Sequence, residues 1–132
     1  MPTTQPDFIL IVDDDADICE TLETLLTLEG VAVRTAGDGL KALQVLRAAA
    51  RPALILLDIR MPRMNGLEFR AAQLADPALA ALPVVGLTGD HRLVQEAAKL
   101  GFECLEKPIG LQALRALCDR YGLVRRPVEP PA

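Results

Sequence analysis

The stretch Phe8-Ile9-Leu10-Ile11-Val12-Asp13-Asp14-Asp15 sets five apolar residues directly against three acids. Five residues is strand length, and the run lacks the polar alternation of a strand with one face in water. It reads as a strand buried on both faces whose carboxyl end opens into a charged loop. Runs of similar character recur at residues 31–35, 54–57 and 84–87, and a shorter one at 104–105.

The segments between these runs carry a helical period. Ile18, Leu22, Leu25 and Leu26 fall on one stripe, and Gly30 follows as a terminator. Leu40, Leu43 and Leu46 mark a second helix, and Leu67, Ala71 and Leu74 a third. Leu93, Ala97 and Leu100 mark a fourth, closed by Gly101, and Leu111, Leu114, Leu117 and Tyr121 a fifth. Strands apolar on both faces need helices above and below, and helical crossovers make the strands parallel with right-handed connections. The expected fold is therefore α/β, a doubly wound five-stranded parallel sheet flanked by five helices.

With 132 residues, 51% of them hydrophobic, the chain can fill the core of one domain. Residues 8–123 are expected to form it, with residues 1–7 as a disordered N-terminus and 124–132 as a Pro-rich tail or linker stub. That tail, Arg125-Arg126-Pro127-Val128-Glu129-Pro130-Pro131-Ala132, has no period and too many prolines to extend a helix. The apolar runs fall far short of the roughly 20 residues needed to span a bilayer. With no signal-peptide pattern at the start, a cytoplasmic location is expected. A net charge of −4, no Trp and one Tyr argue against direct nucleic-acid binding. Cys19, Cys104 and Cys118 show no metal-binding spacing and read as reduced packing residues.

In an open parallel sheet, ligands bind beyond the carboxyl ends of the strands. Asp13, Asp14 and Asp15 follow the first strand, Asp58 ends the third, Thr88 ends the fourth, and Lys107-Pro108 follows the fifth. Carboxylates about 4 Å apart repel by roughly 4 kcal/mol per pair at an effective dielectric near 20, so they must take up protons or a cation. Oxygen ligands without imidazole or thiolate select Mg2+, with Mn2+ as substitute. Beside such an ion, Asp58 can accept a phosphoryl group, Lys107 can bind its oxygens as a point charge, and Thr88 can donate a hydrogen bond. Each residue also has a plainer reading. Asp15 and Asp17 suit helix N-capping, Thr88 a turn, and Lys107 a solvated surface; four strand ends converging on one chemistry favour the site.

Through Ile9-Leu10-Ile11-Val12-Asp13-Asp14-Asp15, the segment from Leu56-Leu57-Asp58 to Asn65-Gly66, Leu87-Thr88-Gly89 and Lys107-Pro108, the chain resembles the response-regulator receiver domain of two-component signalling. The 30 residues from Asp58 to Thr88 fit that family's spacing. The resemblance implies the flavodoxin-like strand order 2-1-3-4-5. It implies a metal pocket of Asp13, Asp14, Asp58 and the Arg60 backbone carbonyl, with Asp14 a direct ligand and Asp13 acting largely through water. Asp58 would be the phosphoacceptor, Thr88 and Lys107 would contact the phosphoryl group, and Lys107-Pro108 would be cis. The phosphoryl donor would be a histidine kinase or histidine phosphotransfer protein. The output would pass through the surface of the fourth helix, fifth strand and fifth helix to a protein target, from a monomer or a phosphorylation-dependent homodimer.

Two positions depart from the family's habit. Cys104 stands where receivers usually carry the Tyr or Phe whose ring turns inward on activation, so output is expected to be weakened or rerouted. Gly89 replaces the usual Ala beside the phosphoryl group, keeping access open and loosening the loop. Arg60 and Asp90, two residues past Asp58 and Thr88, are expected to pair across the path of hydrolytic water, although Asp90 also suits an N-cap. His91 is expected at the surface.

Two rival readings share this topology. A Mg2+-dependent aspartyl phosphatase or phosphotransferase would need a second acid two residues after its nucleophile, where this chain has Arg60. A flavin module would need a phosphate-binding loop after the first strand, where three aspartates would repel the phosphate.

Overall fold

The computed structural model describes residues 8–48, 51–61, 64–99 and 101–123. Five strands and five helices alternate: β1 (Phe8–Val12), α1 (Ala16–Leu28), β2 (Ala32–Ala36), α2 (Gly39–Arg47), β3 (Leu54–Asp58), α3 (Gly66–Ala75), β4 (Val84–Thr88), α4 (His91–Lys99), β5 (Cys104–Glu106) and α5 (Leu111–Arg120). All strand pairs are parallel, in the order β2-β1-β3-β4-β5. The expected doubly wound fold and strand order are thus observed. The expected terminal segments, 1–7 and 124–132, lie outside the described residues, as does Leu100.

Successive strand residues point to opposite faces, and each face has its own core. Ile9, Ile11, Leu54, Leu56, Val85 and Leu87 pack against Leu22 and Leu26 of α1 and Leu114, Leu117 and Cys118 of α5. Leu10, Val12, Ile55, Leu57 and Val84 pack against Ala42, Leu43 and Leu46 of α2 and Phe69 of α3. A third cluster, Ile59, Ala97, Phe102 and Cys104, seats α4. Burying one such aliphatic side chain contributes about 1.5–3 kcal/mol, so β1, β3 and β4 anchor the fold. The edge strand β2 differs, with Ala32, Arg34 and Thr35 exposed.

Two helices depart from the stripe that their sequence suggests, α3 in the face it buries and α2 at one residue. In α3, Phe69 and Gln73 are buried, whereas Leu74 is 52% exposed. The Gln73 amide Nε2 donates to the carbonyls of Leu79 and Leu82, each at 2.9 Å, so a polar side chain occupies the inward position and ties down the next segment. In α2, Leu43 and Leu46 face inward and Leu40 does not. The strand expected at residues 31–35 begins one residue later, because Val31 is buried as the turn closes behind Gly30, whose φ of 80° ends α1.

Register carries the strand ends to one rim. Val12 lies opposite Leu57, Asp58 opposite Leu87, and Thr88 opposite Glu106. The main chain continues the ladder past the strands, with Ile59 N–H donating to Leu87 O at 3.0 Å and Lys107 N–H to Thr88 O at 2.7 Å. Asp13, Asp58, Thr88 and Lys107 therefore share one end of the sheet.

Candidate functional site: an acidic rim with one lysine

Asp13, Asp14 and Asp58 can each place a carboxylate oxygen within 4.8 Å of the others. Asp13 and Asp58 are buried and Asp14 is exposed, so the trio forms a pocket closed at its base and open to solvent on one side. Lys107 Nζ enters between the two buried acids, 3.2 Å from Asp13 Oδ2 and 3.3 Å from Asp58 Oδ1. One ammonium cannot neutralise three carboxylates. Burial, then the charge of Asp13, pushes the Asp58 carboxyl up to about 6 against the pull of Lys107. Burial disfavours the Lys107 ammonium, but Asp58 and Asp13 outweigh it and hold that group above its ordinary value. A set of three carboxylates with residual negative charge suits a hard divalent cation, Mg2+ or Mn2+.

The loops that present these groups are held by short-range bonds. Asp13 Oδ1 accepts from the Asp15 N–H at 2.9 Å, and the Cys19 thiol donates to the Asp13 carbonyl at 3.3 Å. Asp15 serves as the N-cap of α1, its carboxylate accepting from the N–H groups of Asp17 and Ile18. After Asp58 the chain turns sharply: Arg60 N–H donates to Asp58 Oδ1 at 3.3 Å, and Gly66 N–H donates to Ile59 O at 2.8 Å. Gly66 permits this turn because a Cβ there would stand 2.7 Å from Ile59 Cα and 2.8 Å from Asp58 O. An Asn65–Glu68 capping box then starts α3.

Thr88 is buried at the rim, and its Oγ1 accepts the Asp90 N–H at 3.1 Å. At Gly89 an added Cβ would meet nothing within 4 Å, so this side of the rim is open. Arg60 and Asp90 do pair, Nη2 to Oδ2 at 2.8 Å. The other Asp90 oxygen accepts the Arg92 N–H at 2.9 Å, so this residue both pairs across the rim and serves the start of α4. That bond, with the Arg92 and Arg60 guanidinium groups, holds the Asp90 carboxyl below the usual range. The Lys107-Pro108 bond is cis. Cys104 is buried, and burial, then Asp58, pushes its thiol up to about 11, which keeps it neutral. His91 is exposed, with Nδ1 3.0 Å from Glu106 Oε1.

Three features escaped the sequence reading. The pairing of one lysine with two acids needed the register of β4 on β5. The Cys19 contact had no signal in its spacing. The close approach at Gly66 was foreshadowed only by the glycine following Asn65.

A family model for the response regulator receiver domain matches residues 9–119. The chain is 36% identical over 125 residues to a CpxR homolog of Haemophilus influenzae described as a transcriptional regulatory protein, covering 92% of this chain and 52% of that one. It is 37% identical over 121 residues to the response regulator MprA of Mycobacterium ulcerans, covering 89% of this chain and 50% of that one. The chain thus spans about half the length of these relatives. Among solved structures, the chemotaxis response regulator CheY4 of Vibrio cholerae superposes with a TM-score of 0.76 at 30% identity, covering 89% of this chain and 99% of that one.

Proposed function

The chain belongs to the response regulator receiver family, and from that premise we propose that it is a phosphoryl-accepting switch with Asp58 as the acceptor. The observation that carries this reading is the convergence of Asp13, Asp14 and Asp58 around Lys107 at the rim of the sheet. An Asp58 carboxylate oxygen attacks the phosphorus of a phosphohistidine on a kinase or phosphotransfer protein. The P–O bond forms as the P–N bond breaks, and the imidazole leaves and takes a proton from solvent. Asp13, Asp14, Asp58 and the Arg60 carbonyl would hold a divalent cation, Mg2+ above all, whose charge would offset that gathered there. Lys107 pairs with a phosphoryl oxygen, Thr88 turns its hydroxyl toward the group, and Gly89 leaves room for it.

Phosphorylation adds about −1.5 to −2 charges at a point already crowded with acid. The loops after β3 and β4 rearrange to meet the new charge, and the α4-β5-α5 face changes its affinity for a protein partner or a following domain in the cytoplasm. The switch is favoured over a turnover enzyme because the residue two past Asp58 is Arg60, tied to Asp90, where a phosphotransferase would place an acid. Incubation with acetyl phosphate and Mg2+ followed by intact-mass measurement tests the reading. A single stable adduct, absent in Asp58→Asn, is expected; rapid multiple turnover would favour the enzyme.

A further inference from the structure

Ile59 directly follows Asp58 and is buried, with its N–H held by Leu87 and its carbonyl by Gly66. Its side chain reaches β4 at the one position that has none. A Cβ on Gly86 would stand 3.0 Å from Ile59 Cδ1, 3.0 Å from Cys104 Sγ and 3.2 Å from Phe102 Cε2. Three side chains therefore meet over a bare α-carbon. Phe102 and Cys104, two residues apart, lie in the same cluster, which takes in Ala97 of α4 and, at its margin, Leu67 of α3 and Leu93 of α4. The Phe102 ring is 6% exposed and carries the Arg70 guanidinium of α3 at 5.7 Å from its centroid. Arg70 in turn donates to Gln73 at 2.8 Å.

Close-packed interiors pass displacement on, because no free volume absorbs it. On the side of β4, a shift of Ile59 bears on Phe102 and Cys104, its neighbours over Gly86. The thiol has one rotatable bond and no bulk to lever α4, whereas the ring touches the surroundings of two helices. Resting on the reading of Asp58 as acceptor, we propose that the phosphoryl signal leaves the acceptor loop through Ile59 and reaches α3 and α4 through the Phe102 ring seated over Gly86. The ring stays in place and transmits, where a ring at position 104 would swing. The aromatic missing from position 104 thus has a counterpart two residues earlier, and Gly86 supplies its seat.

The test uses Mg2+ with beryllofluoride, a tetrahedral phosphoryl analogue, read by amide 1H–15N spectra. In the wild type, displacement spreads from the Asp13-Asp14, Asp58 and Thr88 loops into α3 and α4. In Phe102→Leu the loop amides shift as in the wild type while α3 and α4 lose most of their displacement. Phe69→Leu, the same change in the opposite cluster, keeps the full spread. Should Phe102→Leu not fold, Gly86→Ala crowds the same point and is expected to shift α3 and α4 amides before any analogue is added. Unchanged spread in Phe102→Leu, equal loss in Phe69→Leu, or resting shifts of Gly86→Ala confined to β4 and β5 would overturn the relay. If the wild-type loops ignore the analogue altogether, the acceptor reading falls first and the relay with it.

Discussion

Asp58 is costly to the fold that holds it. Its carboxyl stands at about 6, above its ordinary value of 3.8, with burial the larger cause and Asp13 the next. A folded-state value above the unfolded one means the charged form destabilises. The penalty is complete above the folded value and fades as pH falls through it toward the unfolded one. In EDTA, Asp58→Asn should therefore raise stability by on the order of 1–2 kcal/mol at about pH 8 and by little at about pH 4. Urea midpoints at the two pH values check this, and an equal gain at both would contradict it. The Arg60–Asp90 pair is a second residue-scale device, bridging the rim at 2.8 Å with Arg60 itself exposed. An exposed pair is weak, so under the proposed acceptor role its effect on the lifetime of an Asp58 acyl phosphate should be several-fold rather than orders of magnitude. Asp90→Ala is expected to quicken decay of phosphorylated Asp58 by that much, and an unchanged rate would remove the pair from the account.

At the scale of elements, the turn from β3 into α3 brings Gly66 hard against the backbone of Asp58 and Ile59. Alanine at position 66 would press on the backbone of Asp58 and Ile59, atoms that cannot yield as a flexible side chain does. Gly66→Ala should cost about 1–3 kcal/mol and weaken Mg2+ binding by moving Asp58. Denaturation and a calorimetric Mg2+ titration report the two effects, and normal values in both would show the joint to be looser than described. The elements were legible in the sequence where burial is two-sided or periodic. β1, β3 and β4 declared themselves by unbroken apolar runs, and α1 and α5 by their stripes. The face of α3 was not legible, because Gln73 fills the inward position by bonding to carbonyls that come together only in the folded chain. β2 slipped by one residue because an edge strand with exposed Arg34 and Thr35 lacks the two-sided signal.

At the scale of the whole molecule, the sheet gathers its chemistry at one end by register alone. Asp13, Asp14, Asp58, Thr88 and Lys107 could be nominated from sequence because each stands at a strand end, where a parallel sheet exposes ligands. The route away from the site could not, since Gly86 and Phe102 gain meaning only when β4 and the approach to β5 lie side by side. Two apolar faces give the sheet a stable base, while the rim gathers the like charge of three acids, which the proposed cation and phosphoryl group would reorganise. Reductive trapping tests the central claim most directly. After phosphorylation by acetyl phosphate with Mg2+, borohydride reduces an aspartyl phosphate to homoserine, which peptide mass mapping locates. The account predicts homoserine at position 58 and nowhere else; homoserine at Asp13 or Asp14, or none at all, would contradict it.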